Sequence, residues 1–248
     1  MHFHKGDSDM LSIQSTEQLT GARISGDFWD LDELINAIYA ITGDENKYYD
    51  YQGARNRILG VCYTLRHATQ GDFHIEFVGN GLNKSIMTQH QMIVPEKNVY
   101  FSTEIFWPEL IFTAIALNDF IRLHQERIDA SDWNIHIAAI RKFQATVAEC
   151  LEQELDGEEY LVFLKMLQTK TPLTFRYATQ YVDVLNLEYL YLSAEKRKAH
   201  LAAFALRLII EDAEYIALKE QLLEAAKTTK NALHELQLNI NYPEEIIW

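Results

Sequence analysis

Two groups of residues have types and spacings suited to chemistry. The first lies in GARNRILGVCYTLRHATQ, residues 53–70, where Arg55, Arg57, Arg66 and His67 make a basic stretch in an otherwise acidic chain. Arg55 and Arg66 are eleven residues apart, close to three helical turns, so they share one side of a helix while Arg57 points elsewhere. Planar guanidiniums beside a cleft can clamp a carboxylate or phosphate at two points. Asp119 and Arg122, in the most apolar helix of the chain, supply a counterpart. With Tyr51 as a lid, Arg55, Arg66, Asp119 and Arg122 form a candidate ligand site. The plainer reading, which weighs more, pairs these arginines with Asp30, Asp32, Glu33, Glu76 or Asp119, because buried charges need partners.

The second group is His67, His74 and Glu76. His74 and Glu76 are two residues apart, so they share a strand face, and His67 lies just upstream; together they are a conceivable metal or acid–base cluster. Ordinary solvent-facing positions explain the same spacing. His124 and His136 flank a loop and have no ligand spacing. Common catalytic patterns are missing: there is no P-loop, no GxGxxG after a strand, no GxSxG elbow, no HExxH and no CxxC. Nucleotide-dependent enzymes of the common kinds, zincins and CxxC redox enzymes are therefore disfavoured. No catalytic residue can be assigned and no cofactor is expected.

The elements that must hold these residues follow from periodicity. Residues 10–14 and 22–28 read as two short strands around a turn. Asp27 or Asp30 then caps a helix carrying Leu31, Leu34, Ile35, Ile38 and Ile41 and ending near Gly43. A polar, tyrosine-rich link leads to the basic helix, where Gly60 in mid-helix suggests close approach by another backbone. Phe73–Val78 alternates as a strand, and Ser85–Val94 reads as another.

The stretch 98–127, NVYFSTEIFWPELIFTAIALNDFIRLHQER, is a strand running into the most buried helix, with neighbours expected on most sides. Pro108 and Glu109 mark that helix's start, since a missing N–H costs nothing there and a carboxylate suits the positive dipole end. Asn118 and Asp119 interrupt it, and buried polar groups need hydrogen-bond partners.

From residue 129 the chain reads as helical. Ser131 or Asp132 caps a helix carrying Trp133 and Ile137, and a second helix spans 159–168. Pro172 opens a helix with Phe175, Tyr177, Tyr181, Tyr189 and Tyr191. One long or two consecutive helices then run from Ser193 to about Leu236, with a break near Glu211 and Asp212. Leu236, Leu238, Ile240 and Tyr242 alternate with polar residues, which predicts a C-terminal strand returning to the N-terminal sheet.

The expected class is α+β: an N-terminal antiparallel sheet with packed helices, then a mainly helical C-terminal half. The expected organisation is a disordered leader at 1–9, an α+β core at 10–128, a helical region packed on it at 129–235, and a C-terminal strand and tail at 236–248. Apolar residues make up 48% of the 248, and charged residues 23%, which are globular proportions. The net charge of -14 is spread evenly, each half being acidic by seven. Such a surface repels phosphate, so nucleic acid and anionic membranes are disfavoured as partners. Cys62 and Cys150 are too sparse for a disulfide framework and read as reduced thiols. With no signal segment or membrane-length apolar run, the expected location is the cytoplasm.

Residues 11–38, 51–77 and 98–123 together resemble an uncharacterised family of bacterial cytosolic proteins, mainly from Firmicutes. The resemblance implies unknown function and carries over no site residue. The expected function is a non-enzymatic interaction or regulatory protein that self-associates, its aromatic, helical half meeting another copy or another protein. The alternative is an enzyme or small-anion binder with an Arg/Asp pocket between the basic and central helices.

Overall fold

The computed structural model describes residues 11–168 and 174–248. The leader expected at 1–9 and Pro172 lie outside the described residues, and Phe175 and Tyr177, expected within the helix opened by Pro172, precede a helix that starts only at Gln180. Four strands, β1 (Ser12–Ser15), β2 (Gly21–Gly26), β3 (His74–Gly79) and β4 (Lys97–Phe106), form one sheet in the order β1-β2-β4-β3, every pair antiparallel. Among the described residues there are nine α-helices: α1 (Phe28–Thr42), α2 (Gln52–Thr69), α3 (Lys84–Gln89), α4 (Trp107–Ile128), α5 (Ile135–Glu152), α6 (Gly157–Leu167), α7 (Gln180–Leu190), α8 (Ala194–Arg207) and α9 (Ala213–Thr229). The fold is α+β, with the sheet N-terminal and most helices in the C-terminal half. No helix among the described residues is long and apolar enough to cross a membrane.

Alternation decides which sheet face is inside. Ile13, Ile24 and Thr103 lie in one row across three strands, with Ala22 and Ile105 beside them, and all five are buried. The helices α1 and α2 pack on the sheet. The opposite face carries Arg23, whose guanidinium reaches Glu104 at 2.8 Å and Glu76 at 3.6 Å across the strands.

Helix α4 is the hub. It contacts α1, α2, α5, α6, α7 and α8 as well as the sheet, which explains why it is apolar nearly all round. Its start falls where proline and the acidic residue place it, with Pro108 and Glu109 in the first turn. Asp27 and Asp30 cap α1 together, each side chain accepting a backbone N–H at the other's end of the capping box. Asp212 caps α9, so the expected break near Glu211 divides two helices.

Three local expectations are corrected. Residues 85–94 do not form a strand: Asn83 caps the short α3, accepting from Ile86 N, and that local bond outcompetes extended pairing. Asn134 rather than Ser131 or Asp132 caps α5, which leaves Trp133 outside the helix and exposed. The C-terminal segment is not a strand. Leu236, Leu238 and Ile240 are half-buried and alternate with exposed Gln237, Asn239 and Asn241, but the Ile240 N–H turns back to the Leu238 carbonyl. The alternation buries a side-chain stripe against helices without forming a strand, although the last residues do return to the sheet, where the Gln18 N–H between β1 and β2 donates to the Trp248 carbonyl at 3.2 Å.

Candidate functional site

Helix α2 buries Ala54, Ile58, Val61, Cys62, Leu65 and Ala68. Arg57 follows Ala54 by three residues and precedes Val61 by four, so it sits on the border of that buried stripe and is drawn inward. There it meets the first turns of α4 and α7. Its Nε and Nη2 donate to Glu109 Oε2 at 3.0 and 2.7 Å, its Nη1 and Nη2 donate to Asp183 at 3.0 and 2.6 Å, and Nη1 also donates to the Thr179 carbonyl at 3.1 Å. Asn186 Nδ2 adds a bond to Glu109 Oε2 at 3.0 Å. Burial alone would lower the Arg57 pKa, but the two carboxylates outweigh it and push the pKa up.

The five N–H groups of a guanidinium are thus matched by five bonds within the protein. None is left for an incoming anion. The two carboxylates leave the centre with a net charge of minus one.

A cavity lies on each side of Arg57. One, of about 330 Å³, is lined by Gly53, Asn56, Thr179, Gln180, Asp183 and the segment from His234 to Tyr242. The other, of about 450 Å³, lies where α2 meets β4 and the start of α4, between Gly60, Thr64, Phe106, Glu109 and Trp248. The C-terminal segment walls both. Gln180 Nε2 holds the carbonyls of Leu233 and Leu236 at 2.7 and 2.8 Å, Phe106 stacks with Tyr242 and Trp248, and Thr20 Oγ1 donates to the Ile247 carbonyl at 2.6 Å.

The structure brings together only part of the site expected from sequence. Tyr51, Asp119 and Arg122 do meet: Arg122 Nη2 lies 3.2 Å from Tyr51 Oη and 3.7 Å from Asp119. Asp119 also accepts the backbone N–H and hydroxyl of Thr174, and Tyr51 packs on Phe120 and Phe175. Tyr51 is therefore an aromatic contact within the fold rather than a lid. Arg55 and Arg66 share a helix side as predicted, but that side leads elsewhere. Arg55 bonds the Gly43 carbonyl at the end of α1, and Arg66 stacks over Tyr63. Arg57, which the spacing set aside, is the arginine that reaches α4.

Of the His67, His74 and Glu76 group, His74 and Glu76 share a sheet face around Arg23 and Glu104, and His67 stands apart. His67 faces Asp72 at 2.5 Å, His74 faces Glu104 at 3.2 Å, and Glu76 faces Arg23. Among the described residues no group of His, Cys, Asp and Glu side chains is arranged to hold a metal. Gly60 meets no close backbone, because a Cβ built there has nothing within 4 Å. Asn118 joins α4 to its neighbours, donating to the Leu167 carbonyl at 2.7 Å and accepting from Arg141 and Gln144. The residues missed from sequence are Glu109, Asp183, Gln180 and Asn186. Glu109 was visible as a helix-start acid; nothing local in sequence marks the other three.

A second candidate surface is the outer edge of β3. Ile75 and Phe77 stand opposite Phe101 and Val99, and Ile75 and Phe77 are 49% and 66% exposed. Asn80 donates to the Glu96 carbonyl one step beyond the Gly79–Lys97 pair. Bonded pairs alternate along an antiparallel ladder, so Val78, Glu76 and His74 bond β4 while the N–H and C=O of Ile75 and Phe77 point to the open edge. The other sheet edge, β1, lies against α5.

No curated protein and no solved structure matches this chain. Residues 11–248 match the model of the family described as Domain of unknown function (DUF6904), and the chain belongs to that family.

Proposed function

We propose that this chain is a non-enzymatic interaction protein of the bacterial cytoplasm that assembles with a second copy of itself through the outer edge of β3. The observation that carries the reading is the combination of open backbone groups and exposed Ile75 and Phe77 on one edge strand. Edge strands that stay free usually carry lysine, proline or a bulge; HIEFVG has no lysine or proline, and its pairing with β4 runs without a bulge.

The sequence of β3 is also complementary to itself. In an antiparallel pair centred on Ile75, His74 of each copy stands opposite Glu76 of the other, and Phe73 stands opposite Phe77. A shift that puts Ile75 opposite Phe77 would instead set Glu76 against Glu76, which is destabilising. The Ile75-centred pairing has two-fold symmetry and yields one eight-stranded sheet. Most of the aromatic residues expected at a helical interface are otherwise engaged: Tyr177 stacks on Tyr215, Tyr181 and Tyr189 are fully buried, and Trp248 packs on Phe106, while Phe175 and Tyr191 stay exposed.

Sedimentation equilibrium tests the proposal. The native chain should sediment at twice its mass, and Ile75→Lys, which opposes two lysines on the axis, at its single mass. Trp133→Lys, on an exposed residue away from the edge, should keep the double mass. A native chain of single mass at high micromolar concentration, or an Ile75→Lys chain of double mass, overturns it.

A further inference from the structure

We propose that the cavity where α2 meets β4 and the start of α4 takes an extended, uncharged peptide segment, paired to the stretch of β4 that β3 leaves uncovered. The site lies past the end of β3 rather than on its outer edge, so it is independent of self-association. β4 runs from Lys97 to Phe106 and pairs with β2 over residues 101–106, but its pairing with β3 stops at Ser102, opposite His74. The chain before His74 does not extend the ladder, since the Asp72 N–H turns back to the His67 carbonyl.

Alternation fixes which backbone groups are left over. The Trp107 N–H donates to the Thr20 carbonyl, so Ile105 and Thr103 bond β2 in the same phase. Glu104 and Phe106 point the other way, in phase with Ser102 and Tyr100, which bond β3. Among the described residues nothing accepts from the Glu104 and Phe106 N–H groups or donates to the Glu104 carbonyl. On that side α2 runs beside β4, and the cavity of about 450 Å³ is lined by Gly60, Val61 and Thr64 from the helix and by residues 104–106 from the strand. The open groups read donor, acceptor, donor along the edge. One edge of an extended peptide supplies the complement, as in the addition of a strand to a sheet.

Gly60 supports the same occupant. A Cβ built there meets nothing within 4 Å, so this mid-helix glycine leaves room in the cavity wall that no part of the chain fills. A ligand main chain can pass there. The side chains at the wall select what it carries. Val61, Ile105, Phe106, Ile246 and Trp248 are apolar and suit aliphatic side chains. The polar ones are already engaged: Arg57 and Glu109 bond each other, Glu104 holds Arg23 at 2.8 Å, and the Thr64 hydroxyl donates to the Gly60 carbonyl. A charged side chain would find no unpaired partner, so the segment that fits is apolar and uncharged.

Amide-resolved NMR of the full chain, titrated with acetyl-Val-Ile-Val-amide and with the same peptide N-methylated at every residue, tests the assignment. The first peptide should move the Glu104 and Phe106 amide protons downfield, as new hydrogen bonds do, and move those of Thr103 and Ile105 less. It should bind about tenfold more tightly than the N-methylated peptide, which has the same apolar groups but cannot donate to the Glu104 carbonyl. Gly60→Trp should fill the cavity and abolish binding while the chain still melts cooperatively. Ile75→Lys should bind the peptide as the native chain does, which separates this site from the β3 edge. No binding to the native chain, equal binding of the N-methylated peptide, shifts centred on the Ile75 and Phe77 amides instead, or normal binding by a folded Gly60→Trp chain would each overturn the proposal.

Discussion

Arg57 and Glu109 meet at a single oxygen: Nε and Nη2 of the arginine both donate to Glu109 Oε2, at 3.0 and 2.7 Å. This contact joins the basic helix α2 to the first turn of the central helix α4, and Asp183 extends it to α7. Removing the cation would leave the largely buried Glu109 and the partly exposed Asp183 without their shared partner. Arg57→Ala should therefore lower stability by about 3–5 kcal/mol in urea denaturation. Arg57→Lys should recover less than half of that, because one ammonium cannot reproduce a five-donor fork.

Gly60 offers a test of opposite sign. It lies within α2, and a Cβ there meets nothing. Gly60→Ala should stabilise the chain by about 1 kcal/mol, through helix propensity alone. A loss of stability in the same denaturation assay would mean that the space above Gly60 is filled.

The β3 edge predicts a change in association with little change in folding. Ile75 is half exposed, so Ile75→Lys should shift the thermal midpoint of a dilute, dissociated sample little, while abolishing association. Circular dichroism melts below the association range separate the two effects.

Asp212 predicts a pH dependence. Burial pulls its pKa upward, but bonds from Tyr215 N–H, the Tyr181 hydroxyl and Arg207 outweigh burial and hold it below the ordinary value of 3.8. A depressed carboxylate contributes stability above the ordinary pKa and loses it as pH falls through the folded one. Asp212→Asn keeps a good helix cap but lacks that charge. It should be less stable than the native chain at neutral pH, by about 1 kcal/mol, and the gap should close as pH falls below 3.8.

The two thiols should be inert in the folded state. Burial raises the Cys62 pKa to about 11 and raises that of Cys150 as well. Thiolate is the reactive form, so a colorimetric disulfide reagent at mildly alkaline pH should label neither cysteine until the chain is unfolded, when both react.

Much of the fold was legible because its signals are local. The apolar run after Pro108 announces α4, Gly43 ends α1, and the strand residues of β2, β3 and β4 alternate as they pair. Where local signals competed, the reading failed. The Asn83 cap turned an apparent strand into α3, and the tail alternates as a strand does while lying on helices.

The sequence by itself determined the α+β class, the start and burial of α4, the acidic character of the chain, and the need for its polar interruptions to find partners. It also placed the basic helix, although not its working arginine. Helical spacing reports which residues share a side, but not which neighbour that side will meet. Only the packing of α2 against α4 and α7 turned Arg57 inward to Glu109 and Asp183, sent Arg55 to the end of α1, and left Arg66 on Tyr63. The same is true of Gln180: its unmatched oxygen exists because the C-terminal segment, more than fifty residues further along the chain, occupies the other end of its amide.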